Sequence, residues 1–199
     1  MTDRTATASA FADWVFEKTV RRRSTSPSNE ELHIADQRKR LGELSHRTLD
    51  LAFEQRWLVD RIGKLNGSEY QLVYSDNSSF VRTKTYFASS LTVGGAKLAC
   101  RPYVVFRHIE SGRIVIVERK TTFLHQAWFP ASGWPNAEAQ LWCYSKVDDW
   151  ISAPQIELVL QVWQHSGEHG LRLADEGQIW TAGEQEHESR CARWFAEYQ

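Results

Sequence analysis

Glu118 and Lys120 are the residues whose types and spacing first suggest chemistry. They stand two apart at the end of RIVIVERKTT, residues 113–122, where a β-branched apolar run gives way to charge. On an extended chain, residues i and i+2 point to the same side, so a carboxylate and an ammonium would project together from the carboxyl end of a strand. Such a pair at the edge of an apolar sheet is costly to desolvate unless the two groups serve each other or a ligand. An isolated E-x-K is most often a surface ion pair capping a strand, and other residues shift that balance. Gln140 and Tyr144 are i and i+4 in a helical stretch, hence on one face. His46 follows Gly42 at the same spacing further upstream, and Asp50 and Glu54 continue one turn further each.

A small set of elements must position these groups. Ile114, Ile116 and the valines beside them form a run too short for a helix and typical of a strand buried on both faces. Leu98 to Arg107 reads as a second strand, joined to the first by a turn at Glu110-Ser111-Gly112. The register of that hairpin sets Tyr103 opposite Glu118 to Lys120. Asn136 is a candidate cap for a helix from Ala137 to about Trp150, which would carry Gln140 and Tyr144. Upstream, Ala10 to Val20 has helical spacing, Ser24 to Ser28 is a loop, and Ser28 with Glu31 reads as a capping box opening a long helix to about Ile62. Tyr70 to Tyr74 and Phe80 to Phe87 look like a hairpin around Asp76 to Ser78, and Leu91 to Lys97 is a turn or loop. Gln155 to Trp163 is a strand, Asp175 to Gly177 a hairpin turn, and Gly183 to Tyr198 a last helix. Helix, strands, helix, strand, helix is the order of an α/β or α+β sandwich around a mixed sheet.

The 199 residues, 42% of them apolar, suffice for one well-buried domain. A net charge of −1 announces no general nucleic-acid affinity, so such a surface must be a local patch. The basic excess lies in the N-terminal half, at Arg21 to Arg23 and Arg38 to Arg40. Cys100, Cys143 and Cys191 are widely spaced without any C-x-x-C, which argues against a zinc knuckle, a four-cysteine cluster or a disulfide framework and suggests a reducing cytosol. No stretch is apolar enough to span a bilayer, and the start lacks the plan of a signal peptide. The histidines at 108, 125, 165, 169 and 187 show no paired metal spacing and read as surface residues.

Gly42 with His46, the hairpin RPYVVFRHIESGRIVIVERKTT, and Gln140 with Tyr144 in AEAQLWCYS together resemble the PD-(D/E)XK nuclease superfamily, specifically its RecB-like exonuclease branch. The resemblance spans about Leu41 to Trp163. It implies a restriction-endonuclease-like α/β fold, a mixed β-sheet core flanked by helices, with residues 1–27 as an N-terminal helical extension and linker and 28–199 as the nuclease-like domain. It also implies roles. Glu118 and His46 would be ligands of Mg²⁺ or Mn²⁺, hard ions that favour oxygen. Lys120 would be the catalytic ammonium, and Gln140 and Tyr144 would buttress the site and contact substrate alongside Arg101. The implied activity is hydrolysis of DNA phosphodiesters in repair, recombination or phage defence, in the cytoplasm. Since no helicase motif is present, any motor would come from another chain.

The pattern is broken at one place. Where the family has an aspartate on the first hairpin strand, this chain has Tyr103, a neutral phenol and a poor ligand for Mg²⁺. Arg101, two residues earlier, adds positive charge where a cation should sit. Either another acid has moved in, with Asp50 or Glu54 the nearest guess, or the fold persists as an inactive scaffold that binds nucleic acid or a partner protein, gripping phosphate through Arg101, Lys120 and Gln140 without a metal.

Overall fold

A computed structural model describes residues 6–19, 69–76, 86–122, 134–165, 171–175 and 179–199. In chain order its elements are α1 (Ala8–Thr19), β1 (Tyr70–Ser75), β2 (Phe87–Val93), β3 (Ala96–Cys100), β4 (Val104–His108), β5 (Ile114–Thr122), α2 (Pro135–Ser145), β6 (Ile156–His165), β7 (Leu171–Asp175), β8 (Ile179–Thr181) and α3 (Gln185–Tyr198). The protein is an α/β fold, a mixed sheet flanked by helices.

The sheet is built outward from β5. Its neighbours are β4, antiparallel with Val104 opposite Val117, and β6, parallel with Ile114 opposite Ile156 and Lys120 opposite Val162. Parallel neighbours need a crossover, and α2 supplies it. β1 lies beyond β4 and β7 beyond β6, giving the order β1-β4-β5-β6-β7. Alternation along β5 sends Ile114 and Ile116 into one core with α1, α2 and α3, and Val115 and Val117 into a second with Tyr103, Phe106, Val159 and Trp163. The strand is therefore buried on both faces, as its run of β-branched residues suggests.

Several boundaries differ from the sequence reading. Residues 98–107 are two strands, β3 and β4, separated at Arg101-Pro102-Tyr103. Pro102 has no N–H to give a ladder, which is reason enough for the chain to leave the sheet there. β3 pairs with β2 instead, across Gly94 and Gly95, whose φ angles of 58° and 84° suit a two-residue hairpin turn. Within the described residues β1 pairs with β4. Among the described residues β7 and β8 do not pair with each other; both pair with β6, near its end and its start respectively. Asn136 lies inside α2, which begins at Pro135 with Trp134 as its cap residue. Proline suits that first position, because its missing N–H would lack a helical partner anyway.

α1 is built into the core. Thr7 caps it, its Oγ1 accepting the Ala10 amide at 3.1 Å. Phe11 and Val15 are fully buried, and Phe11 packs its ring against Trp14, Trp142, Phe195 and Tyr198. No helix among the described residues is long and apolar enough to cross a membrane.

Candidate active site

The end of β4 creates an opening beside β5. Val117 is the last β5 residue with a β4 partner, so among the described residues Glu118 to Thr122 pair only with β6. Side chains from Glu118 onward thus emerge at the carboxyl ends of two parallel strands, the position where open α/β sheets place ligands. A cavity of about 270 Å³ occupies it, lined by Thr7, Ser9, Asp76, Tyr86, Ala99, Arg101, Tyr103, Glu118, Gln140 and Tyr144.

Glu118 shares the helix-facing side of β5 with Ile114 and Ile116 and is 5% exposed. A carboxylate so enclosed needs a partner. Lys120 Nζ lies 2.9 Å from Glu118 Oε1 and also donates to Gln140 Oε1 at 2.8 Å. The Gln140 amide nitrogen donates onward to the Tyr144 hydroxyl at 2.6 Å and to Ser9 Oγ at 3.3 Å. The i, i+4 spacing on α2 is thus realised as a hydrogen bond, and the chain runs from β5 through α2 to the first turn of α1. Burial, followed by the nearby Glu118 charge, pushes the Tyr144 phenol well above its ordinary pKa, so it stays protonated and neutral. Asp13, on α1, is pushed upward by burial and pulled back by the Lys120 charge, which places a further carboxyl within electrostatic reach of the ammonium.

On the opposite side, Asp76 follows β1. Its backbone N–H donates to the Tyr103 carbonyl at 2.9 Å, so it is the immediate neighbour of the position that lacks an acid. Arg101 Nε pairs with Asp76 Oδ1, and the Tyr74 hydroxyl donates to the same oxygen at 3.3 Å. Burial, reinforced by Asp76, pushes the Tyr74 phenol up to about 12. Tyr103 lies 9% exposed, its ring 5.0 Å from the Arg119 guanidinium.

Of the residues singled out in the sequence, Arg101, Tyr103, Glu118, Gln140 and Tyr144 all line this cavity, and Lys120 is bonded to two of them. His46, Gly42, Asp50 and Glu54 lie outside the described residues. Sequence reasoning missed Asp76, which a turn composition disguised, and Thr7 and Ser9 from α1. It also misplaced His187. That residue is 1% exposed, not at the surface, because α3 turns it toward α2, where its Nδ1 lies 2.9 Å from Glu138 Oε1. No family model and no curated protein matches the chain. A solved structure described as "Crystal structure of SSO0001" is similar at 14% identity, over 100% of this chain and 79% of that one, with a TM-score of 0.43. A likeness that remote carries no argument about fold or function.

Proposed function

We propose that the chain is a metal-dependent nuclease of the PD-(D/E)XK class, hydrolysing DNA phosphodiester bonds in the cytoplasm, alone or beside a helicase, with Asp76 in place of the missing hairpin aspartate. The observation that carries this reading is the bonded set Glu118, Lys120, Gln140 and Tyr144 facing Asp76 across one cavity. Two carboxylates are the donors that Mg²⁺ or Mn²⁺ prefers, so the donor set fits such an ion. Arg101 must release Asp76 for both to bind it. A bound divalent ion would acidify a water and offset charge developing on the phosphate.

The chain's own residues do the rest. Lys120 holds a positive charge beside Glu118, where a phosphate oxygen gains negative charge in the transition state. Gln140 fixes the ammonium through its carbonyl oxygen, and Tyr144 fixes Gln140. Thr7 and Ser9 bring the N-terminus of α1 to the cavity wall, where its dipole favours an anion. Arg101, once free of Asp76, is placed to bind the phosphate in bidentate fashion.

A second reading is favoured by the Arg101–Asp76 pair itself. With Lys120 on Glu118 and Arg101 on Asp76, the charges of the described residues lining the cavity are compensated, which suits a metal-free scaffold that binds nucleic acid or a partner. Calorimetric titration with Mn²⁺ separates the two. The nuclease reading expects one ion to bind wild type, with affinity falling at least tenfold in Asp76→Asn and in Glu118→Gln. Absence of binding in wild type, with binding gained in Tyr103→Asp, would instead mean intact geometry and a lost catalyst.

A further inference from the structure

Away from the cavity, α2 and α3 meet at three buried side chains, and we propose that Glu138, His187 and Cys191 form a separate binding site for a zinc-class transition ion. Their ligand atoms all lie within 4.8 Å of one another. The residues are 3%, 1% and 0% exposed. His187 and Cys191 are i and i+4 on α3, hence on one face, and Glu138 stands opposite in the first turn of α2.

The geometry separates an ion site from a catalytic relay. Carboxylate, imidazole and thiol are also the parts of a cysteine nucleophile with its base. In that arrangement the acid and the thiol use opposite nitrogens of the ring, so that one donates while the other accepts. Here both meet the same nitrogen: Nδ1 lies 2.9 Å from Glu138 Oε1 and 3.8 Å from Cys191 Sγ. One nitrogen cannot hold a proton for the carboxylate and take one from the thiol. Three donors converging on one point are the layout of an ion's ligands, with a fourth, open place left for water.

Donor type narrows the ion. One sulfur, one nitrogen and one oxygen suit zinc or cobalt and are a poor match for Mg²⁺ or Mn²⁺, so this site is distinct in chemistry from the cavity at β5. Arg190 holds the counter-charge. Its Nε lies 3.0 Å from Glu138 Oε1, its Nη2 contacts the same oxygen, and its Nη1 lies 3.1 Å from Glu186, an exposed carboxylate one turn away. The guanidinium is the cation that a carboxylate 3% exposed requires when no metal is there. An arriving ion displaces it toward Glu186, and the ion takes the place of the thiol proton, which leaves to solvent.

Titration of the full chain with Co²⁺ tests this. One equivalent is expected to bind with a thiolate-to-cobalt charge-transfer absorption, lost in Cys191→Ser and retained in a Cys100→Ser/Cys143→Ser double variant whose sole thiol is Cys191. His187→Gln should weaken binding by tenfold or more. Arg190→Gln should tighten it about tenfold, because it removes the competing cation; a merely structural Arg190 would not do so. Glu118→Gln should leave the absorption unchanged, so this site and the nuclease reading can fail separately. Absence of the thiolate band in wild type, its survival in Cys191→Ser, or weaker binding in Arg190→Gln would overturn the proposal.

Discussion

Under the nuclease reading, replacing Glu118 with glutamine is expected to lower Mn²⁺-dependent cleavage of DNA by about a thousandfold or more. The substitution keeps the shape of the side chain and an oxygen that can accept from Lys120, so packing at this 5% exposed position is preserved. What is lost is the charge, and with it an ion ligand. Lys120→Gln should cause a comparable loss by the opposite route, leaving the ligand and removing the ammonium. Thermal midpoints separate catalysis from folding: Glu118→Gln should melt cooperatively within a few degrees of wild type, whereas Lys120→Gln leaves the enclosed Glu118 carboxylate without its cation, should melt lower, and is assayed well below its own midpoint. Cleavage that survives both substitutions would sink the assignment of the site, whatever the fold.

How far the sequence reveals this arrangement depends on the range over which each signal acts. β5 is legible because an unbroken β-branched apolar run too short for a helix is a local signal, and it implies burial on both faces. Gln140 and Tyr144 are legible because helical spacing is local too, and the 2.6 Å bond between them realises it. The turn at Gly112 fixes the register only as far as Val104 opposite Val117, so the expected pairing of Tyr103 with Glu118 to Lys120 does not form; Pro102 ends the ladder, and the Tyr103 ring packs in the second core beside Arg119. Asp76 is a different case. Its place beside Tyr103 depends on β1 pairing with β4 across some thirty intervening residues, and a sequence reader sees only an acid in a turn. The β2–β3 hairpin was within reach, since Gly94-Gly95 between β-prone runs is a strong hairpin signal, and Pro102 marks where β4 must begin. The spacing of His187 and Cys191 was also readable, but their burial in the helix-facing core, under Trp180 and against Glu138 of α2, comes from tertiary packing.

Phe11→Ala is expected to destabilise the protein by about 3–5 kcal/mol, measured by urea unfolding. The ring is fully buried and meets aromatic rings on its own helix and on two others: Trp14 on α1, Trp142 on α2, and Phe195 and Tyr198 on α3. It meets Phe195 edge-on at 5.2 Å, a geometry that adds to simple area burial. Close packing on every side leaves little room for collapse into the cavity that alanine would create, which places the cost in the upper part of the range for core truncations. The consequence reaches the cavity at β5, because the same helix presents Ser9 to Gln140 and Thr7 to Ala99. Loosening α1 therefore removes one support of the residue that fixes Lys120. Under the nuclease reading, Phe11→Ala should lose activity at temperatures below its own unfolding midpoint, whereas Trp14→Ala, at the half-buried margin of the same cluster, should lose less of both. A destabilisation under about 1 kcal/mol would mean that α1 docks too weakly to act as part of the core, and its contribution to the site would fall with it.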